Sequence, residues 1–329
     1  MTVLRSRGAV LDYLKSNNAP SSDINNIQEN LSSHIKLFAD DAKFLRPEEM
    51  PEGVKYIINR LVAGLASSHL MAREGYFSAL CYLLRLNSSY FSPQFVFSLL
   101  ADKKSATMKS VTKDENRDQL LGELLLCGAV VRSGRAVDQE VLQQVVNMLC
   151  AMRAKKSYLD ITASQFLVNL IESYEGNSVH PVVWGSLQAE LKGPMDDLSP
   201  SQVWIRLVLL RKHRVSPPVW LTSTLAPKNH EALVQTLMIV TTKFVILQKT
   251  ANDLPKVHPV VEELVTNLAA ARTSSSLLTK FLQVILEPLQ GSTSPAKLQI
   301  IFQLLRVSQV LTDGGKAPYQ LMRLKNETV

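Results

Sequence analysis

Adjacent carboxylates are the residues of this chain best suited to chemistry. They occur at Asp40-Asp41, Glu48-Glu49, Asp114-Glu115, Asp196-Asp197 and Glu262-Glu263. Acids of this kind, set on a rigid sheet, could clamp two metal ions about 4 Å apart for nucleotidyl transfer. None of these pairs has that setting. Asp40-Asp41 follows a predicted helix end, and Asp196-Asp197 sits in the turn GPMDDLSP ahead of a helix. Both read as caps or solvated turns. Asp114-Glu115 falls in a charged loop, and the two glutamate pairs lie on helices.

The six histidines (His34, His69, His180, His213, His230 and His258) are scattered, and His180-Pro181 and His258-Pro259 resemble helix-entry punctuation. Cys81, Cys127 and Cys150 each lie in an apolar helical pattern without a CxxC pair or a histidine at ligand spacing. Buried thiols are expected, not zinc ligands. Phosphate-cradling GxxxxGK[ST], GxGxxG and the GxSxG elbow are missing, and Gly314-Gly315-Lys316 lacks the upstream glycine and following helix. The expectation is a non-enzyme, with no catalytic residue, no metal and no cofactor.

The basic residues are the other candidates. With 36 Lys and Arg against 29 Asp and Glu, the net charge of +7 permits an acidic partner without demanding one. Two clusters stand out: Arg206, Arg211, Lys212, His213 and Arg214, then Arg153, Lys155 and Lys156. Each lies at a predicted helix C-terminal end, where cations complement the macrodipole. The functional alternative is contact with nucleic-acid phosphates or a protein partner. Two LxxLL strings, Leu80 to Leu84 and Leu121 to Leu125, could dock an exposed helix but lie on a predicted buried face. Trp184, Trp204 and Trp220 are read as core or inter-repeat wedges, not as a base-stacking platform.

Helical periodicity covers nearly the whole chain and positions all these residues. In GVKYIINRLVAGLASSHLMAREGYFSALCYLL, residues 53–84, Val54, Ile57, Ile58, Leu61, Val62 and Leu65 share one face. After Ser67-Ser68-His69 the rhythm resumes at Tyr76, Ala79, Leu80, Leu83 and Leu84, which predicts a helical hairpin with one apolar face. Further helices are predicted near 3–15, 23–38, 92–100, 116–132, 138–152, 158–173, 179–191, 200–212, 229–250, 258–271, 274–288 and 295–311. Ser199-Pro200 is a good start signal, because proline tolerates the first turn. Residues 101–117, ADKKSATMKSVTKDENR, read as a mobile charged loop, and 312–329 as a frayed tail. No apolar run reaches the length of a membrane span, and the N-terminus lacks a secretory apolar core. A soluble intracellular protein without a membrane partner is expected.

Hairpins of this size bury their faces only by stacking on neighbours. The expected fold is therefore all-α, an armadillo/HEAT-like α-solenoid of stacked helical hairpins forming a single array over 1–311. A compact helical bundle is the alternative.

Two blocks, 54–86 and 119–151, have a more particular wording. The stretch Lys55 to Leu84 resembles the N-terminal region of the Myb-binding protein 1A and DNA polymerase phi family. The family pattern is K-Y-x-x-x-R-L-x-x-G-L-x-S-x-R-x-x-A-R-x-G-(Y/F)-x-x-A-L. Lys55, Tyr56, Arg60, Leu61, Gly64, Leu65, Ser67, Ala72, Arg73, Gly75, Tyr76, Ala79 and Leu80 fit it, and His69 replaces an arginine. The second block resembles F-G-x-L-x-x-x-x-x-x-x-x-S-G-R-L through Gly122, Leu124, Ser133, Gly134 and Arg135. There Leu121 replaces the aromatic and Ala136 the final leucine. The opening residues through Tyr13 are also similar, and past residue 180 the likeness fades. Family members are usually longer, with acidic and basic C-terminal segments, so this chain resembles a short isoform, fragment or reduced relative.

The resemblance implies a noncatalytic nuclear, and specifically nucleolar, scaffold. Its expected roles are ribosomal RNA transcription, ribosome biogenesis and transcriptional coregulation. Its expected partners are nuclear proteins, with rDNA or rRNA as further contacts. Arg60 and Arg73 are expected to brace the repeat. A polymerase-like nucleic-acid enzyme, as the family name suggests, and a helical-repeat transport adaptor are the competing classes.

Overall fold

A short polar signal sets each helix start, and the apolar stripe that follows decides what the helix packs on. The computed structural model describes residues 52–85, 91–106, 113–174, 179–212, 217–233, 235–236 and 258–270. The helices expected at 3–15, 23–38, 274–288 and 295–311, most of the one at 229–250, and the 312–329 tail lie outside the described residues. Every regular element among the described residues is helical, which makes the protein all-α. Where a single array over 1–311 is expected, the chain divides into two compact units, Met1–Ser173 and Tyr174–Val329.

In the first unit, α1 (Glu52–Gly64) and α2 (Leu70–Arg85) form the expected hairpin. Then come α3 (Pro93–Ala106), α4 (Lys113–Arg132), α5 (Gln139–Lys155) and α6 (Ser157–Ser173). The charged stretch 101–117 is therefore not a loop throughout: 101–106 complete α3, and 113–117 begin α4. Only 107–112 between them fall outside the described residues. Polarity hid these turns, because helix ends carry charge readily when acids such as Asp114 and Glu115 fall in a first turn.

Helix α4 lies between α2 and α6 and also packs on α5, while α1 packs on α2, α3 and α4. Its buried side chains include Leu120, Leu124, Leu126, Cys127, Val130 and Val131. Close approach to α4 and to the α1–α2 hairpin depends on glycine. A Cβ on Gly64 would fall inside the Tyr76 ring, and one on Gly128 inside the Phe166 ring. At Gly122 a Cβ would stand 3.1 Å from Ala66 in the α1–α2 turn.

Helix α4 ends in a Schellman turn. Arg135 N–H donates to the Val130 carbonyl (3.2 Å) and Gly134 N–H to that of Val131 (3.1 Å). Gly134 takes the left-handed conformation this requires, φ 72°. The Arg135 guanidinium then donates to the Leu84 carbonyl at the end of α2, 3.3 Å. In return, Arg85 donates to the Arg132 carbonyl at the end of α4, 3.1 Å. Two helix ends thus cap each other with charge-assisted hydrogen bonds.

The second unit is built on α8 (Pro200–Lys212), with Ser201 and Val203 to Leu209 buried. Around it stand α7 (Pro181–Leu191), the short α9 (Val219–Thr222), 3-10 turns at Met195–Asp197, Ser223–Leu225 and Pro227–Asn229, and α10 (Pro259–Ala270). A capping box starts α8: Gln202 N–H donates to Ser199 Oγ (3.3 Å), and Ser199 N–H to Gln202 Oε1 (2.8 Å).

Cys81 and Cys127 are buried, as expected, whereas Cys150 is half-buried. Burial pushes the Cys81 thiol up to about 11, outweighing the downward pull of the Arg132 and Arg85 charges. Relative to the ordinary value of 9.0, ionisation of Cys81 weakens the fold only as pH climbs through the window from 9.0 to about 11. Maleimide labelling at pH 8, read by mass spectrometry, should leave Cys81 unmodified until the chain is unfolded.

The glycines make a second, sharper prediction. Gly134→Ala has open space for its methyl and should cost only the left-handed penalty, about 1 kcal/mol. Gly64→Ala must displace a buried ring and should cost about 2 kcal/mol or more. Urea unfolding of both variants beside the parent checks the order.

Candidate functional site

The acids come first. Asp196 and Asp197 are exposed in the 3-10 turn Met195–Asp197, a solvated turn as expected. Glu262 is exposed, whereas Glu263 is buried beside Arg211. Asp40-Asp41 and Glu48-Glu49 lie outside the described residues. Among the described residues, no three His, Cys, Asp or Glu side chains converge as a metal site requires.

Both described His-Pro pairs start helices. His180 Nδ1 accepts from Val182 N–H at 3.3 Å, entering α7, and His258 Nδ1 from Val260 N–H at 3.0 Å, entering α10. His258 Nε2 lies 3.3 Å from Ser201 Oγ. With Nδ1 accepting, a neutral His258 carries its proton on Nε2 and donates to the hydroxyl. It is not placed to act as a base towards Ser201.

The basic clusters separate by burial. Arg206 is 3% exposed and pairs with no carboxylate among the described residues. It donates to Thr224 Oγ1 (2.7 Å), the Gly193 carbonyl (3.0 Å), the Leu191 carbonyl (3.4 Å) and the Trp220 carbonyl. Its guanidinium carbon stands 5.1 Å from the Trp220 ring centre, and Trp220 stacks on Trp184 at 5.8 Å. Burial lowers its pKa from the usual arginine range. Arg206 thus ties the end of α7 to α9 and the turn after it.

Arg153 is likewise buried, 3.3 Å from Asp160. Both guanidinium groups are thus held inside the protein among their own neighbours. Arg211 pairs with Glu263 through two bonds of 2.7 and 3.2 Å, and Lys212 donates to the Tyr174 carbonyl at 3.0 Å. Both end α8, and both are held by its surroundings. Lys155 and Lys156 are exposed at the end of α5, and Arg214 lies outside the described residues.

The LxxLL leucines serve the core: Leu80, Leu83, Leu84 and Leu124 are buried, and Leu121 and Leu125 half-buried. Trp204 is buried, with an edge contact to His258 at 5.8 Å. The motif blocks turn out to be contacts. Gly64 admits Tyr76, and Arg73 reaches Asp118 of α4 at 3.8 Å, bracing α2 on α4 as expected. Ser133-Gly134-Arg135 is the Schellman turn whose arginine caps α2. Arg60 is exposed.

A family model described as DNA polymerase phi matches residues 56–314. The chain belongs to the DNA polymerase phi family. Within that family it is 24% identical over 240 residues to a Myb-binding protein 1A-like protein of Danio rerio, covering 73% of this chain and 17% of that protein. It is also 24% identical over 311 residues to the Myb-binding protein 1A of Rattus norvegicus and 25% over 312 residues to that of Mus musculus. Each of these covers 88% of this chain and 22% of the relative. The chain therefore spans only 17% to 22% of the length of these curated relatives. No solved structure matches it. These mammalian and fish relatives of the DNA polymerase phi family are named as binding proteins or their likenesses, not as enzymes.

Sequence reasoning missed the roles of Arg206 and Arg135. Arg206 stands in a run of cations and Arg135 in a motif block, and only the neighbouring carbonyls reveal what each does. Arg206→Met should cost about 3 kcal/mol, because buried carbonyls lose their donor. Lys155→Gln with Lys156→Gln should stay within about 0.5 kcal/mol. Thermal unfolding of both variants distinguishes the buried from the exposed cations.

Proposed function

We propose that this chain is a noncatalytic helical scaffold of the nucleus that works by presenting surfaces to protein partners. The carrying observation is where the family-matching residues act. Gly64, Tyr76, Arg73, Gly134 and Arg135 serve contacts within the chain, so the motifs maintain a shape whose outer faces are left for partners. The relatives' printed names support a nuclear, Myb-type transcription factor as one partner class.

The finer reading is a nucleolar role in ribosomal RNA transcription or ribosome biogenesis, together with transcriptional coregulation. Lys155 and Lys156 are the cations best placed to touch rDNA or rRNA, and Arg214 belongs to the same proposal. The pairing of α1 with α2, α3 with α4 and α5 with α6, with α4 between α2 and α6, supports armadillo/HEAT-like stacking. The family description favours one second reading, a polymerase. It predicts metal-dependent nucleotide incorporation that Asp196→Asn with Asp197→Asn abolishes.

Imaging of the tagged chain, with partner recovery before and after nuclease, tests the scaffold. Nucleolar signal with nuclease-resistant ribosome-production partners is the expected result. Diffuse cytoplasmic signal without them would sink the reading, and partners lost to nuclease would move the binding to nucleic acid.

A further inference from the structure

One strip of the first unit sets half-buried leucines between two exposed arginines. On α4, Arg117, Leu121, Leu125, Gly128 and Arg132 recur at three- and four-residue spacing and so share one face. The two leucines are half-buried, and the two arginines are exposed. At one end, Arg117 lies 5.6 Å from the centre of the Tyr158 ring of α6, and Tyr158 is 42% exposed. At the other end, Phe77 of α2 meets Phe166 of α6 at 6.2 Å, above Gly128. Arg132 covers both rings, 5.5 and 6.0 Å from their centres.

The strip between these ends is about 22 Å long, from fifteen residues at the helical rise, enough for about four turns of a docked helix. Each end of the strip carries an exposed arginine. Among the described residues, neither Arg117 nor Arg132 pairs with a carboxylate, and neither do Lys155 and Lys156, which adjoin Tyr158 in sequence. The nearby acid Asp118 is engaged by Arg73. Arginines held over aromatic rings still have N–H groups to offer to carboxylates.

We propose that this strip docks an acidic amphipathic helix of a protein partner. Two apolar side chains one turn apart on the partner pack on Leu121 and Leu125, and its flanking carboxylates meet Arg132 and Arg117. Apolar anchors fix the register, and the arginines select for acid. Nucleic acid fits less well. The floor is leucine, Phe166 is only 4% exposed under Arg132, and the exposed Tyr158 ring already carries Arg117, which leaves a poor platform for stacking bases. The proposal rests on the scaffold reading only in taking the bound molecule to be a protein.

Fluorescence anisotropy with the full chain tests it. The probe is a fluorescein-labelled peptide of about 16 residues, two leucines one turn apart among glutamates and alanines. A scrambled peptide that splits the leucines between faces and a labelled oligothymidine serve as comparisons. The acidic helix should bind at least about tenfold tighter than its scramble, with binding weakened by salt. Arg117→Glu with Arg132→Glu should weaken it by about tenfold or more. Both side chains are exposed, so the circular dichroism spectrum should hold, and the unfolding midpoint should fall only by the lost ring contacts and the reversed charge in the last turn of α4. Leu125→Gln should weaken binding while leaving the salt dependence unchanged.

Equal binding of the scramble, or binding indifferent to the charge reversals, would overturn the proposal. So would oligothymidine binding that the same reversals abolish, since that assigns the strip to nucleic acid. Partner recovery from nuclear extract separates the two readings. If the double variant keeps every partner of the parent, the strip is wrong and the scaffold stands. If the parent itself recovers none, the scaffold reading fails.

Discussion

The first unit depends on how closely other helices can approach α4. Helices with full side chains along their contact stripe keep their axes about 8–10 Å apart. Gly122 and Gly128 let the α1–α2 turn and the Phe166 ring close on α4 where a methyl group would hold them off. Gly64 performs the same task within the first hairpin by admitting the Tyr76 ring. Once these approaches are made, the Leu84 and Arg132 carbonyls at adjacent helix ends come within reach of Arg135 and Arg85. The reciprocal caps are thus a consequence of the packing. They also secure it, because each orphan carbonyl receives a charged donor.

The second unit handles charge differently. Arg206 is enclosed, and among the described residues its partners are carbonyls, a hydroxyl and an aromatic face. Burying a cation without an anion is costly unless its N–H groups are satisfied, and here most of them are. The arrangement binds two stretches of backbone and a threonine hydroxyl through one planar group, a task the rigid fork of arginine suits better than lysine. Arg211 with Glu263 is the more familiar solution. It joins α8 to α10 through a two-bond pair extended by Asn267, which donates to Glu263 and to the Leu207 carbonyl.

Much of the local structure was legible in the residues. The hairpin at 52–85, the helices through 212 and the His-Pro and Ser-Pro starts follow from 3.6-residue periodicity and from side chains that hydrogen-bond the first backbone N–H groups. The error at 101–117 has a physical cause: a helix end can be polar all round, so apolar periodicity cannot see it. The candidate site was read less well, since a run of cations looks alike whether it is solvated or enclosed. Arg206 and Lys155 differ in their surroundings, not in their wording.

The sequence by itself determined that the chain is helical, where most described helices start, and which family it belongs to, because these depend on short-range patterns and matched residues. Only the tertiary structure decided which charges are internal braces and which face solvent, and that Phe166 closes on Gly128 and lies with Phe77 beneath Arg132. Those outcomes rest on contacts between residues far apart in the chain, such as the 51-residue separation of Arg135 from Leu84. Local propensity carries no record of which distant carbonyl or ring a side chain will meet.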